Sequence, residues 1–263
     1  MLEMTYNHLL VSVQGDMVTV TLNRPEVHNA FNETAIGEIT DCFERIGRDD
    51  EVRLVVVAGA GKSFCAGGDL NWMKKSVKFT KKQNLEDAKR LSLMLHAVNE
   101  CPKPVVARVQ GNALGGGSGL VAACDIAVAA DGAQFGFTEV KLGIVPAAIG
   151  PFVVRKIGES HARHHFLLGD RFGALQARHI GLVHHAVAPE SLDAKVAEVV
   201  AGLRTSGPRA MGEAKALIRA MVDRPESADK VCVETIARLR VGAEGQEGLH
   251  AFLEKRKARW AKG

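Results

Sequence analysis

The sequence predicts an α/β fold, because strand-like and helix-like segments alternate along most of the chain. Short apolar runs that end near glycine, such as residues 54–57, are typical of the buried strands of a parallel sheet. Segments with apolar residues three or four positions apart separate these runs, as amphipathic helices require. After about residue 190 the pattern becomes almost entirely helical. We therefore expect an α/β core in residues 1–200 and a helical region in residues 201–263.

The elements follow in chain order. Two alternating segments, 8–13 and 17–22, flank Gly15 and predict a β-hairpin. Asn32 is placed to cap the first helix, in which Ile36 and Ile39 begin a helical apolar repeat. Further strands are predicted at 54–57, 104–107 and 125–130, with helices near 88–98 and 115–123 between them. The predicted C-terminal helices span 192–203, 211–221, 231–239 and 248–259.

Composition excludes several classes of protein. The 34 basic residues nearly balance 30 acidic ones, and the chain has one Tyr and two Trp, so a nucleic-acid partner is not expected. Five widely spaced cysteines without a CxxC motif indicate a reducing compartment and no zinc site. There is no Lys or Arg before Arg24 and no stretch of 18 apolar residues, so we expect a cytoplasmic protein with no membrane partner.

Three short motifs resemble known sites but lack a required residue. A P-loop ending at Gly61-Lys62-Ser63 would need glycine at Val56. Leu120 stands where both a GxGxxG fingerprint and a GxSxG elbow around Ser118 would need glycine. His161, His164 and His165 share a helical face without HExxH spacing, so we interpret them as a packed or solvated face and expect no metal.

Two glycine-rich loops follow buried strands, where α/β sheets bind ligands. Gly68 lies in the first loop, and Gly116 lies in the second at the start of a helix. Glycine leaves its N–H group accessible, and two such groups aimed at one point make an oxyanion hole. The alternative is that these glycines serve only tight turns, and spacing alone does not decide between the two.

Four segments carry a resemblance to a known family. They are Asn23-Arg24-Pro25 with Asn29-Ala30, Phe64-Cys65-Ala66-Gly67-Gly68-Asp69-Leu70, Gly111 to Gly117 followed by Ala123-Cys124-Asp125-Ile126, and Phe252-Leu253-Glu254-Lys255-Arg256. In this order they resemble the enoyl-CoA hydratase/isomerase (crotonase) superfamily over nearly the whole chain. The resemblance implies a spiral of ββα units, with C-terminal helices that support a homotrimer or a hexamer formed as a dimer of trimers.

The resemblance also implies an acyl-CoA thioester substrate and no other cofactor. The N–H groups of Gly68 and Gly116 would hold the thioester oxygen as it becomes enolate-like. Coenzyme A would lie along two segments of the core and be reached by two C-terminal side chains. The implied contacts are Glu26, Val27 and His28, then Ala66, Gly67, Asp69 and Leu70, then Gly115, Phe252 and Lys255.

One position departs from the family pattern. Typical hydratases of this family hold water between two glutamates, and the first position is Gly119 here, whereas the second is Glu139. One carboxylate can take a proton from water and deliver one to Cα, or it can move a proton between Cα and Cγ as an isomerase does. We also expect Gly119 to free space for a bulkier or carboxylated acyl chain.

Two stretches, Gly115 to Asp125 and Thr138 to Ala147, resemble bacterial hydratases of methylglutaconyl-CoA and of its longer isoprenoid relatives. That similarity favours a hydratase over a Δ3,Δ2-enoyl-CoA isomerase. Two other classes stay open: a hydrolase with Ser118 as nucleophile, which would need a nearby base, and a CoA-binding protein without catalysis.

Overall fold

The computed structural model describes residues 4–261 and contains two β-sheets flanked by helices. The large sheet has six strands, in the order β1-β2-β3-β4-β6-β9. These strands are β1 Leu9–Gln14, β2 Met17–Leu22, β3 Leu54–Gly59, β4 Val105–Val109, β6 Ile126–Ala130 and β9 His185–Val187. The small sheet has the order β5-β7-β8 and consists of β5 Ala113–Leu114, β7 Gln134–Gly136 and β8 Arg171–Gly173.

The predicted N-terminal hairpin is confirmed. Strands β1 and β2 pair antiparallel across a turn in which Gly15 has a φ of +61°, a conformation that glycine adopts without strain. From β2 onward every neighbouring pair in the large sheet is parallel. All six residues of β3 are buried, as expected for a strand that is covered by helices on both faces.

Within residues 4–261, ten α-helices accompany the sheets. They are α1 Glu33–Arg48, α2 Leu70–Ser76, α3 Lys81–Glu100, α4 Gly116–Ala123, α5 Gly150–Leu168, α6 Ala174–His179, α7 Leu192–Arg204, α8 Pro208–Asp223, α9 Ala228–Val241 and α10 Ala243–Leu253. The cap predicted for α1 is present, since the side chain of Asn32 accepts a hydrogen bond from the Ala35 N–H at 2.8 Å. The predicted apolar face of α1, including Ile36 and Ile39, is buried.

The end of the last helix differs from the prediction of 248–259. Helix α10 begins at Ala243 and ends at Leu253, and Lys255 has a φ of +53°. The Arg256 N–H donates to the carbonyl of Ala251 at 3.0 Å, which closes the helix before it can continue.

The predicted boundary between residues 200 and 201 falls inside α7. The buried residues of this helix pack on the large sheet against Leu54 and Val56. The division into two domains therefore stays a prediction, with α7 lying on the core side. Among residues 4–261, no helix has the length and apolar character needed to cross a membrane.

Candidate active site

The small sheet brings three loops of the site to one edge. Strands β5 and β7 are parallel, so the segments that follow Leu114 and Gly136 leave from the same end. The first of these segments leads to Gly116 and the second to Glu139. Strand β8 runs antiparallel to β7, and its first residue, Arg171, pairs with Gly136. The sheet therefore places an N–H group, a carboxylate and a guanidinium side by side in the fold.

The loop that contains Gly68 packs directly against this edge. A bridge between Cys65 and Ala113 aligns it with β5. Gly67 has a φ of +91°, and a β-carbon at this position would lie 2.8 Å from the carbonyl oxygen of Leu114. Only glycine therefore allows the two loops to approach this closely.

The two N–H groups predicted to form an oxyanion hole are available. Gly116 is the first residue of α4, where a helix leaves its N–H groups without partners. Within residues 4–261, neither the Gly68 N–H nor the Gly116 N–H donates a hydrogen bond to a protein acceptor. An N–H at a helix N-terminus also carries the positive end of the helix dipole, which favours a developing negative charge.

Asp69 fixes the backbone on the far side of Gly68. One carboxylate oxygen accepts from the N–H groups of Asn71 and Trp72 and caps α2, whereas the other accepts from Arg24 at 2.8 Å. Burial raises the pKa of this carboxyl, but the hydrogen bond from Arg24 outweighs that effect with the help of the capping N–H groups, and the pKa is lowered. Arg24 also donates to the carbonyl of Ala30, which ties the loop to the segment before α1. Asp69 is 5% exposed and supports the loop from behind rather than facing the cavity.

Glu139 is the carboxylate of the site. It lies in a 3-10 turn, Thr138–Leu142, and its Oε1 would lie 3.4 Å from a β-carbon at Gly115. Its Oε2 is buried and has no hydrogen-bond partner. Burial raises the pKa of Glu139, while its own backbone N–H lowers it to a smaller extent. A carboxyl in this state is a stronger base than an exposed one.

The expectation that Gly119 frees space for the acyl chain is wrong. Gly119 is buried in α4, and a β-carbon there would overlap Cγ2 of Ile149 and lie 2.7 Å from its Cβ. Ile149 is itself 2% exposed and belongs to the core. The volume that a side chain at Gly119 would need is thus already occupied by a hydrocarbon.

A cavity of about 470 Å³ lies in front of these groups. Its size is within the usual range for small-molecule sites of ~300–1,000 Å³. Seven of the predicted site residues line it: Ala66, Gly67, Gly68, Leu70, Gly115, Gly116 and Glu139. Sequence reasoning missed most of the others, which are chiefly apolar: Phe31, Trp72, Met73, Leu91, Leu114, Thr138, Leu142, Ile144, Val145, Pro146, Ala147, Ala148, Ile149 and Arg171.

Six predicted coenzyme A contacts do not line this cavity, and one of them is Asp69, which supports the loop from behind. Glu26 and Val27 form a 3-10 turn, and His28 follows it with a φ of +54°. This segment contacts the loop that contains Gly68 on the side away from the cavity. The contact is a hydrogen bond that the Ala66 N–H donates to the carbonyl of His28. Phe252 is 81% exposed beyond the core, and Lys255 follows it in the C-terminal turn. Their proposed contacts with coenzyme A stay predictions.

Ser118 does not have the environment of a nucleophile. It is fully buried, and its hydroxyl donates to the carbonyl of Ala113 and accepts from the Gly136 N–H. No basic side chain of the described residues contacts this hydroxyl. Ser118 therefore joins α4 to β5 and β7, and the hydrolase alternative loses its support.

The histidine face contains a hydrogen-bonded pair. His165 is buried, and its Nδ1 lies 3.0 Å from a carboxylate oxygen of Asp170. With His164 these groups place three ligand-type atoms within 4.8 Å of one another, outside the cavity. The ring of His165 packs on Phe172 of β8, so the pair stabilises the turn that leads into that strand.

All five cysteines are unpaired thiols, and Cys65 begins the glycine loop. It is fully buried, and burial raises the pKa of its thiol to about 12. The thiol is therefore protonated at neutral pH.

The family model for enoyl-CoA hydratase/isomerase matches residues 12–263. The chain belongs to the enoyl-CoA hydratase/isomerase family. It is 31% identical to a crotonyl-CoA hydratase of Syntrophomonas wolfei, over 97% of this chain and 98% of that protein. Solved structures with the same fold include the following two. One is an enoyl-CoA hydratase from Shewanella pealeana (TM-score 0.92, 37% identity, covering 97% of this chain and 96% of that one). The other is Pseudomonas aeruginosa AtuE (TM-score 0.94, 36% identity, covering 97% and 100%).

Membership confirms the crotonase fold that the four motifs predicted. It also makes the chain an enzyme family member whose substrates are expected to be acyl-CoA thioesters.

Proposed function

We propose that this protein adds water to a 2-enoyl-CoA and uses Glu139 as its single catalytic carboxylate. The observation that carries the proposal is the arrangement at the edge of the small sheet. Oε1 of Glu139 lies beside Gly115, the other oxygen, Oε2, is buried without a hydrogen-bond partner, and Glu139 and Gly116 line the same cavity. The relative named crotonyl-CoA hydratase supports the same reaction class.

In this mechanism the thioester oxygen accepts hydrogen bonds from the N–H groups of Gly68 and Gly116. Glu139 takes a proton from water as the water oxygen bonds to Cβ, and the electron pair of the double bond moves into the thioester. The resulting enolate is stabilised by the two N–H groups, each worth about 3–4 kcal/mol in comparable sites. Glu139 then returns the proton to Cα and the carbonyl re-forms.

A second candidate is Δ3,Δ2-enoyl-CoA isomerisation, and Ile149 favours it. An isoleucine side chain fills the space beside Gly119, so hydrocarbon rather than a second polar group borders that part of the site. An isomerase needs only one carboxylate, which removes a proton from the carbon next to the thioester and delivers it to the γ-carbon. Glu139 can perform this transfer without binding water.

We further infer a branched or carboxylated acyl chain of the methylglutaconyl-CoA type, bound with no cofactor beyond the coenzyme A of the substrate. The apolar side chains from Leu142 to Ile149 support the branch, because they form one wall of the cavity. We also infer a homotrimer or hexamer in the cytoplasm. The exposed apolar side chains of α9 and α10, such as Val233, Ile236 and Phe252, are consistent with such an assembly.

The test compares two substrates and one variant. Purified protein is incubated with crotonyl-CoA or with 3-methylglutaconyl-CoA, and products are weighed by mass spectrometry, with Glu139→Gln in parallel. We expect a mass gain of one water that the variant loses by about 10²- to 10⁴-fold in rate. No gain from either substrate, together with conversion of a 3-enoyl-CoA to its 2-enoyl isomer, would assign the isomerase instead. CoA binding without turnover of any of these substrates would indicate a non-catalytic protein.

A further inference from the structure

Arg171 is a charged side chain in a cavity that is otherwise almost entirely apolar. Among the lining residues of the described chain, only Glu139 and Arg171 carry a charge. Sequence motifs did not single out Arg171, because its place in the site depends on the antiparallel pairing of β8 with β7. If Arg171 formed a salt bridge with a protein carboxylate, its role would be structural. The groups that contact its guanidinium therefore decide its role.

The guanidinium of Arg171 has no protein counter-ion. Within residues 4–261, no carboxylate lies within salt-bridge distance of it, whereas the other arginine near the site, Arg24, is paired with Asp69. Nor does Arg171 neutralise Glu139. The groups that shift the pKa of Glu139 are its buried surroundings and its own N–H, with no positive charge among them. Arg171 and Glu139 therefore form no ion pair with each other.

The backbone that carries Arg171 is well fixed. Arg171 pairs with Gly136 in the sheet, and its Cγ would lie 3.5 Å from a β-carbon at that glycine. The preceding residue, Asp170, forms a hydrogen bond with Nδ1 of the buried His165. The guanidinium thus starts from a rigid base, and its exposed end can reach an anionic group of a ligand.

We propose that Arg171 binds a carboxylate at the free end of the acyl chain and so selects dicarboxylic acyl-CoA thioesters. A guanidinium offers two parallel N–H donors that match the two oxygens of a carboxylate. This inference rests on the acyl-CoA site assigned under Proposed function, and it specifies the substrate class of that site. It holds for a hydratase and for an isomerase alike, because it concerns binding rather than the proton transfer.

A phosphate of coenzyme A has the same chemistry and is the other source of an anion. The two sources differ in one respect, since every acyl-CoA carries the phosphates but only some carry a second carboxylate. Saturated ligands separate binding from turnover, so the experiment uses glutaryl-CoA and butyryl-CoA. These acyl chains differ in length by one carbon and in charge by the terminal carboxylate.

Calorimetric titration measures the affinity of both ligands for the full-length protein, for Arg171→Gln and for Arg171→Lys. Arg178→Gln, which removes an exposed arginine of α6 outside the cavity, is the charge-matched control. We expect Arg171→Gln to bind glutaryl-CoA about ten-fold more weakly, the scale of a charged hydrogen bond. Butyryl-CoA should bind equally to all four proteins, and Arg171→Lys should lie between wild type and Arg171→Gln.

Three results would overturn the proposal. Equal weakening for both ligands would assign Arg171 to a phosphate, and no weakening for either would remove it from binding. A loss that Arg178→Gln reproduces would reflect net charge only. Failure of the proposed function appears separately, as absence of turnover with affinity for the CoA esters intact. Thermal melts of the variants verify that Arg171→Gln is folded.

Discussion

The side chain of Ile149 occupies the space next to Gly119, so that no larger residue fits at position 119 without displacing it. This contact links α4, which begins at Gly116, with Ile149, which lines the cavity. A carboxylate could not be introduced at Gly119 while Ile149 keeps its position. The single-carboxylate site is therefore built into the core packing and does not depend on one residue alone.

The first prediction concerns this contact. Gly119→Ala should destabilise the protein by about 1–3 kcal/mol, because overpacking outweighs the gain in helix propensity. Gly37→Ala is the matched control, since Gly37 lies in α1 with no atom within 4 Å of its would-be β-carbon. It should stabilise the protein by up to about 1 kcal/mol. Urea unfolding of both variants measures the difference, and a Gly119→Ala as stable as Gly37→Ala would contradict the packing.

The second prediction concerns the buried oxygen of Glu139. Burial raises the pKa of Glu139 above its ordinary value of 4.5, so the folded state holds this proton more tightly than the unfolded state does. The stabilising contribution of Glu139 to the free energy of unfolding is fully present below pH 4.5. It is lost as the pH rises through the pKa that Glu139 has in the folded protein. Glu139→Gln cannot ionise, so we expect it to unfold at a higher temperature than wild type at pH 8.

At pH 4 the difference between Glu139→Gln and wild type should shrink. The measurement is a thermal melt of both proteins at each pH. A variant that is less stable than wild type at pH 8 would show that the carboxylate is paired in solution.

The third prediction concerns Asp69 and Arg24. The Asp69→Ala variant leaves the Arg24 side chain, which is 12% exposed, without its partner and uncaps α2. We expect a cost of about 3–5 kcal/mol, as for other buried pairs that lose one member. Glu159→Ala breaks an exposed pair with Arg163, and it should cost less than about 1 kcal/mol.

Asp69→Ala should also lower kcat on a 2-enoyl-CoA, because the Gly68 N–H loses its fixed position. Equal stability of Asp69→Ala and Glu159→Ala would refute the role of the buried pair.

The fourth prediction concerns His184. Burial, assisted by the charge of Lys156, lowers its pKa from 6.5 to about 4, and its Nδ1 accepts from the Ala127 N–H. The unfolded chain takes up a proton below pH 6.5 that the folded chain refuses until about pH 4, so stability should fall as the pH decreases across that window. The Asn side chain of His184→Asn keeps a hydrogen-bond acceptor but does not titrate. This variant should therefore lose less stability than wild type as the pH decreases. Urea unfolding between pH 7 and pH 4.5 tests this, and an unchanged slope would count against it.

Sequence patterns predicted the parts of the fold that have long periodic signals. The hairpin around Gly15 was predicted from two alternating segments, and the buried strand β3 was predicted from a continuous apolar run. Both patterns extend over most of a strand and are therefore easy to recognise. Strands β5 and β8 of the small sheet were missed because they have two and three residues, which is too short for a periodic pattern. The predicted role of Gly119 failed for a related reason, because only the tertiary structure shows that Ile149 fills its volume.

The residues of the site also divide into those that a sequence motif identifies and those that only the tertiary structure reveals. Glycines 68 and 116 and Glu139 were found because their loops carry recognisable motifs, and all three line the cavity. Arg171 carries no motif and reaches the cavity through strand pairing alone. A sequence read without pairing information has no signal for such a residue.

The burial of Cys65 has a consequence for the acyl group itself. Thiolates exchange with thioesters, so an ionised cysteine two residues before Gly67 would compete with coenzyme A for the bound acyl chain. Burial raises the pKa of the Cys65 thiol to about 12 and leaves the residue inaccessible to solvent. Cys65 therefore stays protonated and does not take part in that exchange. Cys65 would therefore leave the acyl group of a bound acyl-CoA thioester on coenzyme A, and alkylating reagents that require a thiolate should leave this residue unmodified.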